Sequence, residues 1–232
     1  MNDLIGDALW SFYKYSDKTD IEVKCSIGED DIIPIDYFFR DFDEMPNIEK
    51  KAIELCFGDV LDVGAAAGCH SIELKNRGLN VTSIDISKGA TLLMKSRGLK
   101  SIEKNFYDAS GRFDTLLFLM NGSGIAGRVD NLPKFLSKCK SLLKDKGQVL
   151  IDSSNIIYMY EENDGAFKLN LNSNYYGELS YKMTYKDIET DWFDWLFIDF
   201  DSLSDYAFKS GLNCELVLEG EHFDYLARLT LK

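Results

Sequence analysis

A nearly bare loop follows a run of strand-forming residues in the stretch LDVGAAAGCHS, residues 61–71. Asp62 is followed by Gly64 and Gly68, with only valine and alanine between them. Side chains this small let the backbone come close to another molecule. Ligands of open parallel sheets bind at the carboxyl ends of the strands, where this loop would lie. The pattern therefore predicts a site for a nucleotide-like ligand.

Two nucleotide-like ligands compete for this loop. A dinucleotide needs the pattern G-x-G-x-x-G, because its pyrophosphate packs on bare backbone at a helix N-terminus. The three positions here are Gly64, Ala66 and Cys69, so an NAD-linked oxidoreductase would lack two of its glycines. S-adenosylmethionine (SAM) has no pyrophosphate, and its aminocarboxypropyl arm needs a close turn that tolerates alanine in the middle. The loop therefore favours SAM.

Asp85 provides a second signal, because it ends the next strand-like run and lies 17 residues after Gly68. A carboxylate at that place accepts two hydrogen bonds from a ribose diol and repels a 2′-phosphate. The alternative is a simple acid at the N-terminus of the following helix.

The elements that would position these residues alternate between strand and helix from residue 59 to residue 152, which is typical of a parallel sheet with helices on both faces. Asn47 is expected to cap the first helix and Ser87 the third. The predicted helices cover 45–57, 67–77, 86–98, 131–144 and 201–211. The predicted strands cover 59–63, 79–85, 101–106, 113–120 and 148–152, a hairpin of 177–186 and 192–200, and a final pair of 214–221 and 224–232.

Composition excludes several kinds of partner. The net charge is -13 and no basic patch is visible, so nucleic acid and anionic membranes are unfavourable partners. No apolar run approaches the roughly 18 residues of a membrane span, and the first residues do not read as a signal peptide. The five cysteines form no C-x-x-C pair, which indicates reduced thiols in a cytoplasmic protein. The two histidines belong to no metal-ligand motif, so no metal site is expected.

The chain resembles a known family in the stretches VLDVGAAAGCHSIEL, VTSIDIS, FDTLLFLMNGSG and LLKDKGQVLIDSS, taken in this order and spacing. They are similar to motifs I to V of the class I SAM-dependent methyltransferases, and the resemblance is strong over 45–155. It implies an α/β fold with a Rossmann-like, doubly wound, seven-stranded sheet of order 3-2-1-4-5-7-6, the last strand antiparallel, and a small inserted β-hairpin. The stretches IPIDYFFRDFDEMPNIEKKA and EGEHFDYLARL are similar to a group of bacterial small-molecule methyltransferases.

The resemblance divides the chain into four parts. We expect an N-terminal cap over the cofactor site (1–44), a SAM-binding core (45–155), an insert forming a substrate lobe (156–200) and a C-terminal completion of the core (201–232). It implies transfer of the methyl group of SAM to a nitrogen or oxygen of a small-molecule acceptor, leaving S-adenosyl-L-homocysteine (SAH). A catalytically silent SAM-binding regulatory or interaction protein is the alternative. Monomer and homodimer both stay open.

The resemblance also implies a set of cofactor-binding positions. Asp108 is expected at the adenine amine, with Phe106 or Tyr107 stacked on the ring. Arg40 is expected to pair with the carboxylate of SAM, or otherwise with a neighbouring acid among Asp41, Asp43 and Glu44. The full set is Asp62, Gly64, Ala65, Ala66, Gly68, Asp85, Ile86, Tyr107, Asp108, Met120, Asn121, Gly122 and Arg40.

Asp62 is expected to fix the glycine loop through backbone N–H groups or to act as a cap. Backbone groups of Met120 and Asn121 are expected to hold the ammonium of SAM, the alternative being a plain turn. The chain departs from the family pattern at two points: Ala66 replaces the usual middle glycine, and NFYDASGRFD is a short third motif.

The acceptor side is predicted from less specific signals. His222 and Glu221 lie in the turn between the last two strands and are candidates for catalysis, because imidazole takes a proton near neutral pH. A turn histidine without function is the alternative, and His70 is expected to bond locally. Aromatic residues line acceptor pockets, and the substrate-binding candidates are Tyr37, Tyr158, Tyr160, Trp192 and Trp195.

Overall fold

Strands and helices alternate through the middle of the chain in the computed structural model, which describes residues 3–161 and 174–232. The helices of these residues are α1 (Leu4–Tyr15), α2 (Asn47–Leu55), α3 (Cys69–Asn76), α4 (Lys88–Ser96), α5 (Leu132–Leu142) and α6 (Phe200–Lys209). The strands are β1 (Ile21–Cys25), β2 (Asp31–Ile33), β3 (Asp59–Val63), β4 (Asn80–Asp85), β5 (Ser101–Glu103), β6 (Phe113–Phe118), β7 (Leu143–Ser154), β8 (Glu178–Tyr185), β9 (Ile188–Glu189), β10 (Phe193–Leu196), β11 (Leu212–Glu219) and β12 (Asp224–Leu231).

The central sheet has seven strands in the order β11-β12-β7-β6-β3-β4-β5. Strands β3 to β7 pair in parallel, whereas β12 runs antiparallel to both β7 and β11. Counted along the core, this order is the predicted 3-2-1-4-5-7-6, so the predicted Rossmann-like fold is confirmed. The carboxyl ends of β3, β4, β6 and β7 lie along one edge of the sheet, where a ligand of such a fold binds.

The two faces of the sheet are covered as the apolar patterns predict. Helices α5 and α6 cover one face, where Phe118 and Phe135 pack edge to face with ring centroids 5.1 Å apart. The apolar residues of α5 are buried at Leu132, Phe135, Leu136, Cys139 and Leu142, as is Leu143 at the start of β7. Helices α2 and α3 cover the other face, where Ile53 and Leu74 meet Leu150.

Two local predictions need correction. Asn47 is the first residue of α2 rather than its cap, because Pro46 takes the preceding extended position. The third strand of the core, β5, has only three residues, and Phe106 lies in a 3-10 turn instead. Ser87 caps α4 as predicted, accepting the Ala90 N–H at 2.9 Å.

A second sheet of five strands combines β1 and β2 of the N-terminal segment with β8, β9 and β10 of the later segment. Strand β8 forms the predicted hairpin with β10 and also pairs with β1, where Lys24 aligns with Lys182. The sequence pattern did not predict β1 or β2, so the segments 1–44 and 156–200 share a sheet. Part of the predicted insert, 162–173, lies outside the described residues.

Helix α1 attaches the N-terminal segment to the core. Asp3 accepts the N–H of Gly89 at the start of α4, and the Trp10 indole donates to the carbonyl of Gly89 at 2.9 Å. Within 3–161 and 174–232, no helix is long and apolar enough to span a membrane.

Candidate functional site

The loop between β3 and α3 is held in a left-handed conformation at three of its five residues. Gly64, Ala66 and Gly68 have φ angles of 73°, 46° and 80°. A Cβ on Gly68 would come 2.5 Å from Leu99, so only glycine fits that position. A Cβ on Gly64 would meet only the Ile125 side chain at 3.7 Å, and Gly64 is exposed. The loop therefore leaves open backbone at its beginning and a tight contact at its end.

Asp85 fastens this loop to the end of β4. One carboxylate oxygen accepts the N–H of Ala66 at 2.9 Å, and the other accepts the N–H of Ser87 at 2.8 Å. The first bond offsets the cost of the left-handed conformation in Ala66, which is about 1–2 kcal/mol for a residue with a Cβ. Burial raises the pKa of Asp85, and the two N–H groups act against that rise. Each carboxylate oxygen keeps a lone pair for a further donor.

Ile86 stands beside Asp85 with 73% of its surface exposed. The role predicted for Ile86 at the cofactor stays a prediction.

Asp62 is buried beneath the loop and contacts α3. Its carboxylate accepts the Ser71 hydroxyl at 2.6 Å, and Ser71 also contacts the Ser83 hydroxyl at 2.6 Å. Burial raises the pKa of Asp62. Asp85, rather than Asp62, accepts a backbone N–H of the loop. The loop-fixing role predicted for Asp62 therefore belongs to Asp85. Asp62 instead anchors the first turn of α3 through Ser71.

The aromatic pair in the 3-10 turn Phe106–Asp108 is divided between core and surface. Phe106 is 3% exposed and packs edge to face on Phe118, with ring centroids 5.0 Å apart, so it belongs to the core. Tyr107 is half-buried under the Lys134 ammonium, which lies 4.8 Å from the ring centroid. Asp108 is exposed. Of the two predicted stacking rings, Tyr107 is the one that is partly exposed.

The loop after β6 is unusual because two consecutive residues other than glycine are left-handed. Met120 and Asn121 have φ angles of 64° and 58°. The Asn121 amide donates to the carbonyl of Leu196 at 3.2 Å and accepts from the Ser153 hydroxyl at 3.2 Å. The next residue, Gly122, donates its N–H to the carboxylate of Asp152 at 2.8 Å. The side chain of Asn121 is therefore occupied by hydrogen bonds within the protein.

Three buried side chains, Arg40, Glu49 and His70, form a charged group that we call the Glu49 cluster. The carboxylate of Glu49, on α2, accepts a hydrogen bond from Nε2 of His70 on α3, at 2.7 Å. It also pairs with the guanidinium of Arg40. That guanidinium also stacks on the ring of Tyr37, 3.8 Å from its centroid. All three members are at most 6% exposed. The acid that pairs with Arg40 is thus Glu49, rather than one of the adjacent acids at 41, 43 and 44.

The ionisation of the Glu49 cluster follows from its contacts. Burial opposes the charge on Glu49, but the hydrogen bond from His70 and the charge of Arg40 outweigh it and lower the pKa of Glu49. Burial likewise opposes the charge on His70, but the adjacent Cys69 and Glu49 raise its pKa well above the ordinary value. His70 therefore bonds locally, as predicted, through its contact with Glu49.

The predicted acceptor-side residues lie at several places around this edge. His222 and Glu221 are exposed in the turn before β12, where the His222 N–H donates to Asp224 at 3.0 Å. Tyr158 stacks on Phe223 of the same turn, with ring centroids 5.0 Å apart. The catalytic roles of His222 and Glu221 stay predictions.

The remaining aromatic candidates belong to the second sheet and its neighbours. Trp195 packs on the loop after β6, where a Cβ on Gly124 would lie 2.0 Å from its ring. Trp192 is 54% exposed just before β10. Tyr160 donates its hydroxyl to the carbonyl of Tyr176 at 2.7 Å. Their roles in substrate binding also stay predictions.

Solved structures resemble the chain over almost its whole length. A SAM-dependent methyltransferase from Bacteroides fragilis, crystallised in complex with SAH, is 44% identical with a TM-score of 0.93, and the match covers 99% of this chain and 94% of that one. This chain therefore belongs to the class I SAM-dependent methyltransferases. The resemblance drawn from its motifs is confirmed.

More distant structures share the fold alone. A SAM-dependent methyltransferase from Clostridium acetobutylicum is 16% identical with a TM-score of 0.56, over 79% of this chain and 88% of that one. The CcbJ methyltransferase from Streptomyces caelestis is 14% identical with a TM-score of 0.61, over 82% and 94%. No protein-family model and no curated protein matches the chain.

Two residues of this edge were not singled out from the sequence. Asp152 follows an apolar run near the end of its strand, as Asp62 and Asp85 do, so the same rule could have found it. Glu49 has no such signal, because Glu54 on the same helix is exposed and nothing local distinguishes the two.

Proposed function

We propose that this chain transfers the methyl group of SAM to a nitrogen or oxygen atom of a small-molecule acceptor. The observation that carries the proposal is the bond between Ala66 and Asp85, which holds a bare left-handed loop against a half-buried carboxylate. The open space over Gly64 is a cradle that a side chain would fill. These residues fit SAM, because its arm needs bare backbone and its ribose diol needs a carboxylate.

In this proposal, the nucleoside side of the site consists of Asp85, Ile86, Tyr107 and Asp108. Asp85 accepts the ribose hydroxyls through its remaining lone pairs. The exposed side chain of Ile86 and the partly exposed ring of Tyr107 enclose the adenine, and Asp108 accepts from its amine. The exposure of Ile86 and Asp108 supports this arrangement.

The amino-acid side of SAM is held by backbone groups and by Arg40. Open backbone at Gly64 receives the arm, and Ala65, Ala66 and Gly68 shape the loop behind it. Backbone carbonyls of Met120 and Asn121, next to Gly122, receive the ammonium. Arg40 supports the predicted contact to the carboxylate, because its Nε is buried with no partner among the described residues. Asp62 contributes indirectly, by anchoring the first turn of α3 through Ser71.

When bound, SAM supplies a methyl group already activated by its sulfonium. The residues of this chain then have to align the acceptor and exclude water, which in favourable systems supplies about 7–11 kcal/mol. The aromatic candidates Tyr37, Tyr158, Tyr160, Trp192 and Trp195 are proposed to enclose the acceptor.

Two measurements test this function. Isothermal titration is expected to show binding of SAM and SAH and no binding of NADH. Incubation with methyl-labelled SAM and a pool of metabolites is expected to move label into a small molecule. Binding without transfer to any pool would favour the silent SAM-binding protein, and binding of NADH alone would contradict the proposal.

A further inference from the structure

The carboxylate of Asp152 lies near the carboxyl end of β7. Leu150, two residues earlier on the same face, is fully buried against α2 and α3. Asp152 aligns with Leu226 of β12, which belongs to the same buried cluster. Asp152 is therefore a carboxylate at the margin of an apolar layer, and it is only partly buried.

The loop after β6 orients this carboxylate. Left-handed φ angles at Met120 and Asn121 are uncommon for residues other than glycine. They direct the Gly122 N–H to Asp152 at 2.8 Å. The bond from Asn121 to the carbonyl of Leu196 fixes the loop from its other side. Asp152 is thus held on a rigid support, as a group that must meet a substrate has to be.

The distance from the glycine loop suits a reaction between two ligands. Strand β6 lies between β3, which leads into the glycine loop, and β7. Neighbouring strands are about 4.8 Å apart, so the ends of β3 and β7 are about 10 Å apart. That distance leaves room for the methyl donor on one side and a small acceptor group on the other.

The charges near Asp152 favour a cationic acceptor. Arg40 and His70 are already paired with Glu49. Among the described residues, no lysine or arginine pairs with Asp152, whose hydrogen bond comes from backbone. A partly buried carboxylate without a cation attracts an ammonium group and repels a carboxylate or phenolate.

We propose that Asp152 is a catalytic residue that binds an amine acceptor, so that the methyl group goes to nitrogen. This inference rests on the proposed methyl transfer. The bound ammonium first gives one proton to the Asp152 carboxylate, which frees the nitrogen lone pair. That lone pair forms the new N–C bond, and the methyl–sulfur bond breaks with its electron pair left on sulfur. SAH and the methylated ammonium leave, and Asp152 gives its proton to water.

The ionisation of Asp152 agrees with this role. Burial raises its pKa to about 6, and the N–H groups of Gly122 and Asn121 act against that rise. Glu49 raises the pKa further and His70 lowers it. The residue of β12 opposite Asp152 is the apolar Leu226, and Tyr225 points to the other face of the sheet, where its hydroxyl donates to the carbonyl of Ile198. The carboxylate is therefore ionised at neutral pH and close enough to neutrality to take a proton.

The test uses the full chain and labelled SAM with two metabolite pools, one of primary and secondary amines and one of alcohols, phenols and carboxylic acids. Label is expected in the amine pool, with a rate that falls about tenfold per pH unit below about 6. Label only in the second pool, or in neither pool while SAH binds, would overturn the inference. Failure of SAH to bind would instead overturn the proposed function.

Asp152→Asn is expected to lose about 100-fold or more in kcat/KM for the active amine and to lose the inflection near pH 6. Its affinity for SAH should stay near that of the wild type. Asp145→Asn, at an exposed acid in the same chain segment, is the control and should change neither property. Activity of Asp152→Asn within about threefold of the control would contradict the inference.

A second measurement needs neither turnover nor a variant, so it tests the inference even if Asp152→Asn fails to fold. In wild-type protein saturated with SAH and labelled at aspartate carboxyls, one NMR resonance should titrate near pH 6. The active amine should shift that resonance, and an alcohol of the same carbon skeleton should not. A resonance that ignores the amine would overturn the role of Asp152.

Discussion

The carboxyl ends of β3 and β4 differ from those of β6 and β7 in the origin of the groups that shape them. At β3 and β4, Asp85 holds the N–H of Ala66, and both residues lie within one strand–helix–strand unit. At β6 and β7, Asp152 of β7 is held by the loop that follows β6. The nearby charges come from Glu49 on α2 and His70 on α3. The first end is built locally, whereas the second depends on the assembled fold.

The largest effect on stability is expected in the Glu49 cluster, which forms only when α2 packs on α3. Glu49→Ala removes the partner of two buried cations and should lower the free energy of unfolding by about 3–5 kcal/mol. Urea denaturation followed by circular dichroism measures it. Glu54→Ala, on the exposed side of the same helix, is the matched control. A loss from Glu49→Ala no greater than that of the control would show that the cluster is not a structural unit.

The cofactor end is tested by affinity. Asp85→Ala should weaken SAH binding about 100-fold, because charge-assisted hydrogen bonds contribute about 1.5–3 kcal/mol each. Glu103→Ala is the matched control, since Glu103 aligns with Asp85 on the adjacent strand β5 and is exposed. Isothermal titration compares the two variants. Equal affinities of the two variants for SAH would show that Asp85 does not bind the cofactor.

A third prediction uses pH to separate Asp152 from the rest of the molecule. Its pKa is about 6 when folded, above the ordinary value of 3.8. The folded state therefore holds this proton more tightly, and the resulting stability is complete below about pH 4 and is lost as the pH rises through about 6. The difference in unfolding free energy between wild type and Asp152→Asn should fall by about 2 kcal/mol from pH 4 to pH 7.

Urea titrations at several pH values give this difference, and the shifts of Asp62 and Asp85 cancel in it. A difference that stays constant or rises with pH would contradict the raised pKa of Asp152.

The smallest effect is expected at the surface contact between the two sheets. Arg128 donates to Asp194 of β10 at 2.7 Å, but its side chain is 45% exposed. Arg128→Ala should therefore lower the free energy of unfolding only slightly and leave SAH affinity unchanged. Arg228→Ala, which breaks an exposed pair with Glu215, is the comparison. A clear loss of SAH affinity in Arg128→Ala alone would mean that the second sheet controls the cofactor end.

The sequence predicted most of the central sheet, because the apolar runs of β3, β4, β6 and α5 and their following turns are local signals. It did not predict β1, since the Glu22 to Cys25 segment is defined by pairing with Tyr181 to Thr184, far along the chain. In the site, the glycine loop and Asp85 were visible for the same local reason. The pairing of Arg40 with Glu49 was not, because two helix and loop residues meet only after α2 packs on α3.

The most direct measurement is a crystal structure of this chain with SAH bound. The account predicts ribose hydroxyls within about 2.6–3.2 Å of the Asp85 carboxylate and the amino-acid arm lying over the open backbone of Gly64. SAH located elsewhere, or an Asp85 carboxylate that makes no contact with the sugar, would contradict the account.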